Sequence, residues 1–259
     1  MGLTGRIPLP MIAKKKRMSP TTARKSALED LLKARRLAAD GPPLRGEDQR
    51  RRPLPTGVPT VDALLYGGIP RGQLSEVHGP VSSGRTGLVL ALLARSTGGG
   101  ALAALVDPAD RLDPSSAAAA GVDLPRLLWL RGPRGAGEGS PPSGLAEAVA
   151  AVGTLAGSGL FEVVVLDLAG VPEAERRHLP GATWIRLQRT VEDAPTALVL
   201  LADGHVACGP GGVSLALAPA GPRWSGPPGP GRLLSGLDAQ ATAGRHLPRR
   251  ADLLLRTFA

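Results

Sequence analysis

Apolar positions along this chain fall into two rhythms. From residue 53 onward, short unbroken runs of Leu, Val and Ala alternate with longer Ala/Leu-rich stretches in which apolar residues recur every three or four positions. The short runs suit strands buried on both faces and the longer stretches suit helices, so the alternation predicts parallel βαβ units. Strands are expected at 74–77, 101–106, 127–130, 162–168 and 197–202, with helices at 86–95, 115–120, 144–155 and 184–190. Beyond them, 214–218, 236–243 and 251–258 are apolar runs divided by Pro and Gly, expected to form antiparallel strands. Ahead of all these, Ala27, Leu28, Leu31, Leu32 and Leu37 share one side of an amphipathic helix whose opposite side is basic. Residues 41–55 are a Pro- and Arg-rich linker, so the chain divides into an arm, 1–52, and a core domain, 53–259.

Composition sharpens this picture at three points. Aromatics are 2% while Gly (35) and Pro (26) abound, so the core must be built from Leu, Val and Ala, with extensive turns. The net charge of +9 resembles a nucleic-acid signature, but its distribution changes the reading. Residues 1–52 hold fourteen Lys/Arg against five Asp/Glu, a balance of +9, and the remaining 207 residues hold seventeen of each. All the excess sits in the arm, densest at Lys14, Lys15, Lys16 and Arg17, which suits weak phosphate contact, an acidic partner or a solvated tail. A single cysteine, Cys208, excludes an intrachain disulfide, and four scattered histidines show no metal-ligand spacing, so no metal site is expected. With no secretory leader and no run of transmembrane length, the expected setting is the cytoplasm, without membrane contact.

One contiguous motif carries chemistry. Gly79-Pro80-Val81-Ser82-Ser83-Gly84-Arg85-Thr86 lies between an expected strand and an expected helix and matches the phosphate-loop template, except that Arg85 stands where the template has Lys. Backbone N–H groups at a helix N-terminus favour a phosphate, and the Thr86 hydroxyl is suited to Mg²⁺. Arg85 is longer and planar, so it need not reach the place a lysine ammonium would take. No lysine occurs after Lys33, so a general preference for Arg accounts for Arg85 equally well. A second element of such a site, an acid ending an apolar strand, is supplied by Asp167. The expected nucleotide-contacting set is therefore Gly79, Ser82, Ser83, Gly84, Arg85, Thr86 and Asp167.

The order of several blocks resembles the RecA family. Thr56-Gly57, Val61 to Leu65 and Gly67-Gly68-Ile69-Pro70-Arg71-Gly72 look like that family's approach to its phosphate loop, which the 79–86 motif then follows. Val106-Asp107-Pro108-Ala109-Asp110-Arg111-Leu112-Asp113-Pro114 is similar to the family's segment around its catalytic glutamate. The resemblance implies an α/β fold: a RecA-like P-loop core with a mainly parallel central sheet flanked by helices, antiparallel strands at the C-terminal end, and a basic helix in front.

The departures from the family pattern carry equal weight. Ala109 stands at the position of the water-activating glutamate, and Ala202-Asp203 replaces an Asn-Gln pair that senses the γ-phosphate, with Asp203 expected to repel phosphate. The segments matching the two DNA-binding loops are short. Together with the ending Ala251 to Phe258, these features resemble the ImuA family, accessories of translesion synthesis. That resemblance implies a chain that is not an enzyme and requires no cofactor, with ATP/Mg²⁺ binding doubtful. Its partners would be an ImuB-like Y-family protein, a DnaE2-type polymerase and RecA. Contacts are expected through Leu28, Leu31 and Leu32, with weak DNA binding through residues 1–52. A second reading stays open: an ATPase of the RecA-paralogue kind acting as a recombination mediator on single-stranded DNA.

Overall fold

The structure is a computed structural model that describes residues 26–31, 33, 52–132, 144–192, 194–207, 211–244 and 248–256. Eight strands form one sheet in the order β3-β2-β4-β5-β1-β6-β7-β8. These are β1 (Leu74–His78), β2 (Leu102–Asp107), β3 (Leu127–Arg131), β4 (Phe161–Asp167), β5 (Ala197–Ala202), β6 (Ser214–Ser225), β7 (Leu233–Ala243) and β8 (Arg249–Arg256). The helices are α1 (Pro59–Leu64), α2 (Arg85–Gly98), α3 (Pro114–Ala119), α4 (Leu145–Gly157), α5 (Glu173–Arg176) and α6 (Ala182–Val191). The pairs β2–β3, β2–β4, β4–β5, β1–β5 and β1–β6 are parallel, and β6–β7 and β7–β8 are antiparallel. This is the mainly parallel sheet with an antiparallel C-terminal end expected from the apolar rhythm.

The central strands are apolar on both faces because each face is covered, so the core splits into two clusters. One gathers Leu88, Leu92 and Leu93 of α2 with Val77, Val163, Val165 and Val199. The other gathers Val152 and Leu155 of α4 and Trp184 and Leu187 of α6 with Leu74, Val164, Leu166 and Leu198. Successive residues of one strand serve opposite clusters, Val163 and Val165 on one and Val164 on the other, as a pleated strand requires.

The Gly-rich approach to the phosphate loop has a structural job. Leu54 and Ile69 form an isolated antiparallel bridge, and a Cβ on Gly68 would lie 2.0 Å from the Leu54 carbonyl oxygen, so only glycine fits there. Arg71 then reaches across the sheet to Glu162 at 2.6 Å, whose second oxygen accepts from Ser96 of α2 at 2.7 Å. The arrangement locks the start of β1 to β4 and to the C-terminal turn of α2.

Differences from the sequence expectation are local. Helix α2 runs three residues past Arg95, because Ser96 and Thr97 are buried and hydrogen-bonded rather than solvent-facing. Helix α1, started by Pro59 at its first turn and tied by Asp62 to Thr56, was not anticipated. Strands β6 and β7 extend well beyond 214–218 and 236–243. Pro219 and Gly221 bend β6 through a register shift without ending it.

Of the expected N-terminal helix, residues 26–31 and 33 are helical. Leu28 packs on the α4/α6 cluster and Leu31 is exposed. Lys14, Lys15, Lys16, Arg17, Leu32, Leu37, Cys208 and His246 lie outside the described residues.

Candidate functional site

Strand β1 delivers the chain into the 79–86 loop, and α2 leaves it with Arg85 as its first residue. Two residues of the loop take left-handed backbone angles, Ser82 at φ 62° and Gly84 at φ 86°, which curl the loop above the helix N-terminus. Close packing fixes this shape: a Cβ on Gly79 would lie 2.2 Å from the Leu217 carbonyl oxygen, and one on Gly84 2.2 Å from Leu255 Cδ1. Strands β6 and β8 thus press on the loop from beneath. Thr86 is exposed at the first turn of α2, and Ser83 is fully buried, its hydroxyl without a hydrogen-bond partner among the described residues.

Arg85 does not extend into the loop's mouth. It is 5% exposed, and its guanidinium turns back, donating to the Gly79 carbonyl and, at 2.6 Å, to Asp203 Oδ1. The second oxygen of Asp203 accepts from Gly170 N at 3.1 Å, linking the segment after β5 to the one after β4. Asp203, expected to repel phosphate, also engages the Arg85 cation that a phosphate would otherwise meet.

Behind this pair lies a second acidic layer. Asp167 ends β4, and burial pushes its carboxyl up to about 7, with Asp107 adding to the rise and the Ala169 N–H, Arg111 and Arg85 opposing it. Asp107 is fully buried and accepts from the backbone N–H of Arg111 and Leu112 and from Trp129 Nε1. Ala109 packs beside the α4/α6 cluster and carries no proton acceptor. Asp110 forms a bidentate pair with Arg131 at 2.6 and 2.8 Å, and Arg131 in turn lies over Trp129.

The structure brings Gly79, Ser82, Ser83, Gly84, Arg85, Thr86 and Asp167 to one end of the sheet. Asp203 lies there too, and Asp107 and Arg111 join them, two residues that sequence reasoning did not place in the site. The backbone nest, the Thr86 hydroxyl and Asp167 suit a Mg-nucleotide. The side chain of Arg85, committed to Gly79 and Asp203, does not, because in this form it presents no free cation to a phosphate.

On the opposite side of β1 from α2, a separate group converges. Glu76 is buried, its Oε1 accepting from Val206 N at 2.5 Å and Ala207 N at 3.1 Å, and its Oε2 meeting His205 Nδ1 at 2.5 Å. The rings of His78 and His205 are 5.6 Å apart, and Ser214 Oγ lies 3.3 Å from His78 Nε2. Burial holds the His78 imidazole below its ordinary value, with His205 pushing the same way and Glu76 against. Scattered histidines were read as having no common site; the parallel pairing of β1 between β5 and β6 brings two of them together. The one sequence cue was the Glu76-x-His78 alternation, which puts both side chains on one face of a strand.

A strand, a phosphate-type loop and a helix at the centre of a mainly parallel sheet, with an acid ending a neighbouring strand, define a P-loop type of α/β core. The particular family is RecA: residues 45–189, more than half of the chain, match the RecA N-terminal domain, and the chain belongs to that family. RecA of Chlorobium limicola is 40% identical over 136 residues, covering 51% of this chain and 36% of that protein. RecA of Paenarthrobacter aurescens is 36% identical over 178 residues, covering 66% and 48%. The chain thus spans between a third and a half of the length of these relatives. The RadB recombinase crystal structure shares the fold, with a TM-score of 0.54 at 20% identity over 77% of this chain and 94% of that one.

These matches correct one expectation. The chain was read as not being an enzyme, but the proteins it matches are named RecA and RadB recombinase, members of an ATPase family.

Proposed function

We propose that this RecA-family chain is an ImuA-type accessory of DNA-damage-induced mutagenesis, serving translesion synthesis in the SOS response through contacts with other proteins. Its proposed partners are an ImuB-like Y-family protein, a DnaE2-type polymerase and RecA, met in the cytoplasm and at the nucleoid when DNA is damaged. The observation that carries this reading is the outer half of the β6–β7 hairpin. Beyond Ala218 the hairpin is largely exposed, with Trp224 (46% exposed) paired across it with Leu234 (40%) and Leu233 (70%) next along on the alternate face. A Trp and two Leu on a solvated ribbon, with Arg232 near the Trp face, have the composition of a binding hot spot.

Two further features support it. The segments at 168–172 and 203–213, which stand where the RecA family has its DNA-binding loops, are short connections. The Arg85 guanidinium is held by the Gly79 carbonyl and Asp203, so partner binding is proposed to need no nucleotide, ATP with Mg²⁺ meeting that cation only after Arg85 releases Asp203.

The test is a pull-down of the purified full-length chain against the ImuB-like protein, the DnaE2-type polymerase and RecA, with and without ATP. Capture of the ImuB-like protein without ATP, lost in Trp224→Asp and Leu233→Asp at unchanged melting temperature, is the expected result. Capture of none of the three overturns the proposal. Assembly only with RecA, dependent on ATP and single-stranded DNA, would instead favour a recombination mediator.

A further inference from the structure

We propose that Glu76, His78 and His205 form a binding site for one divalent transition-metal ion of the Zn²⁺ type. One ligand atom from each residue lies within 4.8 Å of the others, although His205 is separated from the other two by well over a hundred residues of sequence. Tetrahedral zinc with bonds of about 2.0–2.1 Å spaces its ligand atoms by roughly 3.3 Å, so side-chain adjustments of about an ångström complete the geometry. Two imidazoles and a carboxylate are a donor set that suits Zn²⁺, Co²⁺ and Ni²⁺ better than Mg²⁺ or Ca²⁺.

The carboxylate is already oriented for this task. Both Val206 N and Ala207 N hold Glu76 Oε1, which leaves Oε2 facing His205 at 2.5 Å. Such hydrogen bonds to the non-ligating oxygen are the outer contacts that fix a metal-binding carboxylate. A bound ion takes the place of the hydrogen bond between Glu76 and His205. Access is open, because His205 is exposed and His78 half-buried.

The position gives the site a consequence for the loop. His78 directly precedes Gly79, and His205 lies two residues past Asp203, so an ion held there clips β1 to the segment that follows β5. Both flanks of the Arg85–Asp203 pair are then fixed.

The test uses the untagged full-length chain, stripped with chelator and titrated with Zn²⁺ by calorimetry and with Co²⁺ by its visible bands. One ion per chain, with a rise in melting temperature, is expected. Loss of an outer contact costs a metal site about 10–100-fold, so removing a ligand in His205→Ala or Glu76→Gln should cost at least that, while His178→Ala binds as the wild type does. His205 is solvent-facing, so His205→Ala decides the matter even if Glu76→Gln folds poorly. Absence of stoichiometric binding, or binding that survives His205→Ala, overturns the proposal. The outcome is independent of the partner pull-down, which reads a different surface.

Discussion

Arg85 shows how one side chain reshapes a motif whose backbone is intact. A lysine at this position ends in a compact ammonium, whereas the planar guanidinium can bond two acceptors at once, and here it takes the Gly79 carbonyl and Asp203. Replacing Asp203 by Asn keeps a hydrogen-bond acceptor but removes the charge. Asp203→Asn is therefore expected to lower stability by about 1–3 kcal/mol and to strengthen binding of a fluorescent ATP analogue, both measurable in one purified sample. Weaker or unchanged analogue binding would show that the pair does not compete with phosphate. Asp167 gives a second handle. Its carboxyl titrates near 7 in the fold against about 4 in the unfolded chain, so between those values the folded chain holds a proton that the unfolded chain has released. Stability then falls as pH rises through about 4 to 7 and levels off above. Asp167→Asn is expected to match the wild type near pH 4 and to exceed it at pH 8 by on the order of 2–4 kcal/mol, read as melting temperature across a pH series. The loop residues were legible because they are contiguous and their spacing is dictated by one turn. The pairing of Asp203 with Arg85 and the Glu76/His78/His205 group were not, because they depend on which distant strands become neighbours.

At the scale of elements, the parallel half of the sheet was legible from unbroken apolar runs, and the antiparallel end was legible in type but not in extent. Pro219, Gly221 and Pro222 read as breakers in sequence, yet β6 carries them because it absorbs the bend in register shifts against β7. The same end of the sheet supports the phosphate loop, and this makes two glycines unequal. On Gly79 an added methyl would meet the Leu217 carbonyl, a backbone atom of a paired strand, while on Gly84 it would meet the tip of Leu255, a side chain that can turn. Gly84→Ala still bears the strain of a left-handed backbone, about 1–2 kcal/mol. Gly79→Ala is expected to be the more damaging, by several kcal/mol, in denaturant melts of the two variants. Comparable small losses in both would mean that β6 shifts easily and does not brace the loop.

Across the whole molecule, charge and apolar contact are unevenly spread between residues 1–52 and the rest of the chain. Leu28 packs on the α4/α6 cluster while Leu31, three residues on, is 45% exposed, so the two leucines of one apolar stripe have different neighbours. Leu28→Asp is expected to lower the melting temperature, and Leu31→Asp to leave it unchanged while weakening partner capture if that side of the helix faces a partner. The net charge of the core, 53–259, is zero, and the whole +9 belongs to residues 1–52. A neutral core with short connections at 168–172 and 203–213 offers few phosphate contacts, so DNA affinity should come from the arm and carry no base preference. Each phosphate neutralised by a Lys or Arg releases counterion, steepening the fall of log K with log salt by about 0.7 on a single strand. Changing Lys14, Lys15, Lys16 and Arg17 together to Gln in the full-length chain should therefore flatten that slope by up to about 3 and weaken binding equally for unrelated oligonucleotides. Fluorescence anisotropy over a salt series measures both quantities. An unchanged slope would place the contacts elsewhere, on the ten other basic residues of 1–52 or on Arg side chains of the core gathered on one face.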